Sequence, residues 1–173
     1  GAAAVDAALP HPVVRAGRSV NWMRLTVLPA LLRVAREHRI THVMTGHWYV
    51  AAPALIARRM GVVDQVYAAA HARELMKNML PGPLGPAYVA HRRQVLRAVD
   101  GTFPVSSYTG DLLRADGVAP ERIHVVPNGT TPERFDNPAA RAEAPRLRAR
   151  LGLTGVPLLA TVARLVSRKG IDT

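Results

Sequence analysis

The sequence predicts an α/β fold, a Rossmann-like parallel sheet with helices on both faces, followed by the first strand of a second Rossmann-like domain. Short apolar runs alternate with stretches that carry apolar residues at helical spacing, and Gly and Pro residues separate the two kinds of segment. Parallel strands need a crossover connection, which a helix supplies, so this alternation indicates a parallel sheet. Of the 173 residues, 49% are hydrophobic, which is enough to bury a core.

The first part of the chain predicts two strand and helix pairs. Residues 12–15 form a short apolar run and are predicted as a strand. Residues 21–36 carry apolar side chains every three or four positions, which predicts a helix with a kink at Pro29. A strand is predicted at 42–45, where the run ends on a glycine. The helix predicted at 51–60 has a proline near its first turn and a glycine just past its end.

The middle of the chain repeats this pattern. Residues 65–70 are predicted as a strand, and residues 87–99 as the helix that follows a proline-rich loop. A third strand is predicted at 101–105. It leads to a helix that Ser106 or Ser107 caps, because a serine side chain can accept a hydrogen bond from the free backbone amides of the first turn.

After this helix, the chain is predicted to leave the first domain. Residues 123–126 read as a strand, residues 130–144 have the polar, Pro- and Ala-rich composition of a connector, and a short Arg-rich helix is predicted from Pro145 to Gly152. The run 157–163 is apolar at nearly every position, which indicates a strand buried on both faces. The predicted organisation is a first domain at 1–138, a linker with a short helix at 139–155, and the start of a second domain at 156–173.

The charge of the chain favours an anionic partner. Lys and Arg number 23 against 12 Asp and Glu, and this net charge of +11 attracts phosphates, anionic membrane surfaces or nucleic acid. The two Phe, two Trp and four Tyr residues do not interleave with the basic clusters, so a stacking platform is missing and no nucleic acid partner is expected. Basic clusters on helices are more often solvated faces.

Composition also limits the location and the metal chemistry that we expect. The chain contains no cysteine, which excludes disulfides and cysteine-ligated metal sites. No signal segment and no long apolar run is recognised, so we expect a cytoplasmic protein. The arginine clusters suit a peripheral contact with the inner face of a membrane.

The segment 161–172 is the strongest candidate for chemistry. It places two cations, Arg164 and Lys169, five residues apart after the apolar run that is predicted as a strand. A guanidinium and an ammonium at the carboxyl end of a strand would neutralise a diphosphate and stabilise the charge that develops as a nucleoside diphosphate leaves a sugar. The alternative is a solvated basic turn, and spacing alone does not decide between them.

Four segments share their order and spacing with one known family. They are Val126-Pro-Asn-Gly129, Phe135, Leu151-Gly-Leu153, and Val162-Ala-Arg-Leu-Val-Ser-Arg-Lys-Gly-Ile-Asp172. Together they resemble glycosyltransferase family 4, retaining enzymes that use nucleotide sugars and have the two-domain GT-B fold. The resemblance implies that Asn128 and Gly129 form the turn that ends the acceptor-side domain, and that Arg164 and Lys169 bind the phosphates of the donor.

Two upstream segments resemble the paired strand ends of the same family. His71 opens a segment similar to the family pattern His-Gly-x-Glu-Leu. By resemblance, His71 faces the interdomain cleft near the transferred sugar, where a neutral imidazole would hydrogen-bond a hydroxyl or stabilise the transition state, so it is the candidate catalytic residue. The candidate acceptor-side residues are His47, Trp48, Tyr49 and Glu74. The aromatic faces of the first three suit sugar rings or lipid tails. The alternative is that the aromatics belong to the core.

The resemblance implies transfer of a hexose from a UDP- or GDP-sugar to a sugar or lipid-linked acceptor, with retained configuration and with neither a metal nor another cofactor. Ala72 and Ala163 stand where the family usually has glycine. The family's Gly-rich loop and spaced glutamate pair do not occur in the sequence, so we expect a piece of a longer enzyme that lacks the first strand and is inactive alone. The alternative is a non-catalytic nucleotide- or nucleic-acid-binding Rossmann-like module.

Overall fold

The computed structural model shows a parallel sheet with helices packed against it. It describes residues 6, 9–15, 20–76, 83–166 and 170–171, apart from the side chains of 20–25 and 134. The strands are β1 (His42–Thr45), β2 (Gln65–Ala70) and β3 (Gly101–Pro104). The α-helices are α1 (Val20–Glu37), α2 (Trp48–Arg59), α3 (Gly85–Ala98), α4 (Ser107–Ala115) and α5 (Pro138–Arg150). Short 3-10 helices lie at Arg73–Leu75, Pro120–Arg122 and Pro132–Arg134.

The three described strands form one parallel sheet in the order β1-β2-β3. This confirms the predicted α/β class. Side chains alternate along β2: Val66, Ala68 and Ala70 are at most 1% exposed, whereas the residues between them are partly exposed. One face of the strand is therefore fully buried by the described residues and the other is half covered.

Helix α2 covers the buried face of the sheet's centre. It contacts β1 and β2, and it also packs against α1 and α3. Three alanines on its buried side, Ala51, Ala54 and Ala57, have no exposed surface, and such small side chains allow a close approach of the backbones. The helix continues through Pro53 and ends before Gly61, whose φ of +68° suits glycine.

Helix ends follow the sequence signals with small shifts. Helix α2 begins at Trp48 rather than at the predicted residue 51, so its first turn takes in two of the candidate aromatics. The Oγ of Ser106 accepts a hydrogen bond from the backbone amide of Thr109 at 3.2 Å, which confirms the predicted cap of α4.

Two predicted strands differ from the structure. Residues 12–15 form no strand; instead the Nε of Arg15 lies 2.6 Å from a carboxylate oxygen of Asp6. Residues 123–126 run beside β3, with the amide of His124 donating to the carbonyl of Thr102 at 2.9 Å, but only one residue pair meets as a parallel bridge. A short edge segment with few ladder hydrogen bonds explains this outcome.

The chain divides into two compact units, Gly1–Asn128 and Gly129–Thr173. In the second unit, the predicted connector is helical: α5 begins at Pro138, where Asn137 accepts hydrogen bonds from the amides of residues 139 and 140 at 3.0 and 3.2 Å. Helix α5 continues through Pro145, which had been predicted to start a helix. The combination of an Asn N-cap, a proline in the first turn and several alanines outweighs the cost of an internal proline.

The apolar run 157–163 is not a strand in the structure. Leu159 is 96% exposed and Val162 is fully exposed. A strand forms only against a hydrogen-bonding neighbour, and the second unit offers none among the residues that the structure describes. The domain limits predicted at 138/139 and 155/156 stay predictions.

Candidate functional site

The candidate site lies at the carboxyl end of the parallel sheet, where two neighbouring strands lead directly into histidines. His47 follows the end of β1 by two residues and occupies the N-cap position of α2. His71 follows the last residue of β2. Because β1 and β2 pair in parallel, with Thr45 opposite Ala68, both strands end at the same edge of the sheet. The rings of His47 and His71 meet edge to face, with centroids 5.5 Å apart.

His71 is held by an unusual turn. The amide of Arg73 donates to the carbonyl of His71 at 2.8 Å, which closes a three-residue turn around Ala72. Ala72 has φ +68° and ψ −53°, close to the classic γ-turn, which is rare and strained for a residue with a side chain. This backbone explains why the family usually carries glycine here, and it identifies Ala72 as a point of strain beside the candidate catalytic histidine.

The carboxylate of Glu74 binds the backbone of this turn. Its Oε1 accepts the backbone N–H of His71 at 2.6 Å, and the residue is 5% exposed. The same oxygen lies 3.9 Å from the Nδ1 of His47, too long for a hydrogen bond but within ion-pair distance when the imidazole is protonated. Glu74 therefore fixes the backbone of one histidine and faces the ring of the other, rather than presenting an open carboxylate to an acceptor.

Three of the candidate side chains are open to solvent around this turn. His71 is exposed, the side chain of His47 is 43% exposed, and Tyr49 is partly exposed. The rings of His47 and Tyr49 are stacked with centroids 5.2 Å apart. An exposed histidine beside a histidine and tyrosine pair gives hydrogen-bonding nitrogens next to flat apolar faces, which is the combination that sugar hydroxyls and sugar rings use.

Trp48 differs from its neighbours because it is buried. It is 2% exposed, and its indole ring packs edge-on against Tyr88 and His91 of α3 at 5.0 and 5.8 Å. These contacts join the first turn of α2 to α3. The structure thus gives Trp48 a packing role, which was the alternative reading of the aromatics.

A buried ion pair that sequence reasoning missed anchors the turn to the rest of the unit. Arg92 of α3 is 2% exposed, and its Nη2 lies 2.6 Å from a carboxylate oxygen of Asp116 at the end of α4. Its Nη1 donates to the backbone carbonyl of Glu74 at 3.2 Å. The general expectation that basic clusters on helices are solvated does not hold for Arg92. Its spacing from Val95 and Leu96, both buried in α3, places it on the buried stripe of the helix.

The remaining predicted residues belong to the end of the first unit and to the second. Asn128 closes the first unit and Gly129 opens the second, and both are exposed. Arg164 is exposed in the unpaired segment after the apolar run. Lys169 lies outside the described residues. The roles predicted for these four residues, as the turn that ends the acceptor-side domain and as phosphate ligands, stay predictions.

In the part of the chain that the structure describes, no group of three or more His, Cys, Asp or Glu side chains is arranged to hold a metal ion. None of the described helices has the length and apolar character needed to cross a membrane.

The fold of the chain matches that of solved structures. The chain resembles crystal structures of Anabaena HepE: the complex with UDP has a TM-score of 0.72 at 15% identity, covering 93% of this chain and 42% of HepE. The complex with UDP-glucose has a TM-score of 0.68 over the same shares of both chains. This likeness shows that the chain has the GT-B type of fold.

The family follows from the sequence match. The model of Glycosyltransferase Family 4 matches residues 2–134, and the chain belongs to this family. This confirms the resemblance on which the site residues were chosen.

Three named relatives are 34–37% identical to the chain over the residues that align with it. A GDP-mannose-dependent alpha-(1-6)-phosphatidylinositol monomannoside mannosyltransferase of Mycobacterium tuberculosis is 37% identical over 171 residues, which is 94% of this chain and 40% of the relative. The Mycolicibacterium smegmatis protein of the same name is 34% identical over 94% of this chain and 41% of its own length. A D-inositol 3-phosphate glycosyltransferase of Catenulispora acidiphila is 35% identical over 82% of this chain and 34% of its own length. The chain thus spans well under half the length of these relatives.

Proposed function

We propose that the intact protein transfers a hexose from a nucleoside diphosphate sugar to an inositol-linked phospholipid or sugar phosphate, with retained configuration and without a metal. GDP-mannose is the first donor to test, because two of the relatives are named as GDP-mannose-dependent. The acceptor class rests on relatives whose names all contain an inositol phosphate. The net charge of +11 suits such an anionic acceptor and a working position at the cytoplasmic face of a membrane.

The observation that carries this proposal is the placement of His71. It follows a parallel strand at the carboxyl edge, it is exposed, and Glu74 holds its backbone at 2.6 Å. A histidine fixed in this way can direct its imidazole at a hydroxyl of the transferred sugar as the glycosidic bond to the nucleotide breaks. His47 and Tyr49 would then line the acceptor side of the same edge.

The test is the rate of the intact protein with His71→Ala. We expect kcat to fall by roughly 10² or more, as is usual when a group that acts in the transition state is removed. Steady-state rates with GDP-mannose and a phosphatidylinositol mannoside acceptor measure this. The matched control is His38→Ala, an exposed histidine just after α1, which should keep the unmodified rate. A His71→Ala enzyme as fast as the control would remove His71 from the reaction.

The donor phosphates are proposed to bind Arg164 and Lys169. Replacing Lys169 with Ala should reduce kcat/KM for the donor by roughly 10²-fold, because a charge-assisted contact to the leaving diphosphate is lost. Arg146→Ala, which removes an exposed cation from α5, serves as the control. Addition of EDTA to the same assay should leave the rate unchanged if these cations take the role of a metal. Loss of activity in EDTA that added Mg²⁺ restores would contradict the metal-free mechanism.

A further inference from the structure

Helix α3 carries a basic depression that the proposed reaction does not use. It has a volume of about 490 Å³ and is lined by Ala90, Arg93, Gln94, Arg97 and Ala98. These residues are three or four positions apart and therefore share the outer face of the helix. Arg97 is close to the end of α3, just before β3 begins, whereas His71 follows the opposite, carboxyl end of β2. The depression is therefore separate from the candidate catalytic residues.

Arg93 and Arg97 both bind Asp116 through the Nε atom of the guanidinium. The Nε of Arg93 donates to a carboxylate oxygen of Asp116 at 3.0 Å, and the Nε of Arg97 donates to the backbone carbonyl of Asp116 at 2.9 Å. In the described part of the chain, the terminal nitrogens of these two guanidiniums make no hydrogen bond. Anchoring by Nε fixes the plane of each group and leaves the paired donors that recognise oxyanions free.

The backbone next to the depression makes room for one of these groups. Gly117 has φ +83°, and the guanidinium of Arg97 occupies the space that a Cβ at this position would take. Glycine thus leaves room for Arg97 against the turn that ends α4. The hydrogen bond from the Nε of Arg97 to the carbonyl of Asp116 holds the guanidinium in this space.

The charges around the depression do not balance. The carboxylate of Asp116 pairs with two guanidiniums, those of the buried Arg92 at 2.6 Å and of Arg93 at 3.0 Å, whereas Arg97 contacts only the backbone carbonyl of Asp116. The Nη1 of Arg122 donates to the carbonyl of Arg97 at 3.2 Å and adds another cation beside the end of α3. Like charges four residues apart on a helix repel each other, and a bound anion would remove this repulsion.

We propose that Arg93 and Arg97 form a binding site for a phosphoester anion. The phosphate oxygens accept hydrogen bonds from the terminal guanidinium nitrogens, and Gln94 supplies an additional amide donor. The group can belong to a lipid headgroup or to a soluble phosphate, because both present the same oxyanion. This site does not depend on the transferase activity. A negative activity assay would therefore not contradict the phosphate site, and a negative binding assay would not contradict the proposed activity.

The test measures binding by the 173-residue chain itself. Inorganic phosphate is titrated by calorimetry, and sedimentation is measured with phosphatidylcholine vesicles that do or do not contain phosphatidylinositol. We expect binding of at least one of these probes, and a loss of about tenfold or more in Arg93→Gln/Arg97→Gln, since two charge-assisted donors are removed. Binding of phosphate alone identifies a soluble ligand, and binding that needs phosphatidylinositol vesicles identifies a lipid headgroup.

Two further variants keep the result interpretable. Arg33→Gln/Arg36→Gln removes two exposed arginines from α1, with the same change in net charge, and should bind like the unmodified chain. Ala90→Glu places a carboxylate inside the depression without touching the contacts of Asp116, and it should abolish binding even if the double arginine variant fails to fold. Absence of binding to both probes, an equal loss in the α1 variant, or full binding by Ala90→Glu would each overturn the proposal.

Discussion

At the scale of single residues, the strained backbone of Ala72 lies directly beside the candidate catalytic residue His71. Its φ of +68° and ψ of −53° are tolerated because the contacts around it are strong: Glu74 binds the amide of His71, and the carbonyl of Glu74 accepts a hydrogen bond from Arg92. Such strain typically costs about 1–3 kcal/mol per residue. The turn therefore holds His71 in a conformation that the local sequence alone would not adopt.

Replacing Ala72 with Gly should stabilise the chain. Glycine adopts positive φ without a steric cost, although its greater freedom in the unfolded chain offsets part of the gain, so we expect a net gain of about 1 kcal/mol. For a chain of this size, this corresponds to a rise in Tm of roughly 2–4 °C. Thermal unfolding followed by circular dichroism measures it.

The control is Ala90→Gly, in the middle of α3 and exposed, which should lower Tm because glycine is a poor helix former. A fall in Tm for Ala72→Gly similar to that of the control would show that Ala72 carries no strain.

At the scale of secondary structure elements, the buried pair Arg92 and Asp116 joins α3, the end of α4 and the turn after β2. Three separate parts of the sequence meet at these two side chains. A buried pair is costly to break by removing one partner, because the remaining charge is left without compensation. The pair thus makes the position of the His71 turn dependent on two helices that lie later in the chain.

We expect Asp116→Ala to lower the free energy of unfolding by about 3–5 kcal/mol, since Arg92 is then a buried unpaired cation. Arg92→Met should cost less, because Asp116 keeps its contact with Arg93 at 3.0 Å. The double variant Arg92→Met/Asp116→Ala should be more stable than Asp116→Ala alone. Urea unfolding of all three measures the coupling, and strictly additive losses would mean that the two side chains do not interact.

The same elements show what the sequence could and could not predict. The strands 42–45 and 65–70 were predicted correctly because short apolar runs end on turn residues, and the Ser106 cap has a local chemical cause. The second half of helix α5 was predicted, but its start was wrong because Pro145 was taken as the first helical residue. The Asn137 cap, seven residues before the end of the predicted connector, starts the helix earlier.

Features that depend on contacts between distant segments could not be predicted from the sequence. The burial of Arg92 depends on Asp116, which lies 24 residues further along the chain. The γ-turn at Ala72 is stabilised by tertiary contacts, and local propensity does not show them. The apolar run 157–163 was predicted as a strand from its composition, but composition cannot supply the neighbouring strand that would pair with it.

At the scale of the whole molecule, the candidate residues divide between the two units. His47, His71 and Glu74 belong to the first unit, whereas Arg164 and Lys169 belong to the second. The chain corresponds to about 40% of the length of its mannosyltransferase relatives. Catalysis by differential binding of the transition state needs the donor and the acceptor to be held at the same time, and positioning accounts for several orders of magnitude in rate.

We therefore expect the 173-residue chain alone to show no transfer from GDP-mannose under conditions in which the intact protein turns over. Mass spectrometry of the acceptor detects the product, and the intact His71→Ala variant sets the level of residual activity for comparison. Thermal unfolding of the chain in the assay buffer controls for its being folded, because an unfolded chain would be inactive for a different reason. Transfer by the folded chain at a rate near that of the intact protein would mean that all groups required for donor binding and chemistry lie within these 173 residues, and the proposed need for the remaining length would be wrong.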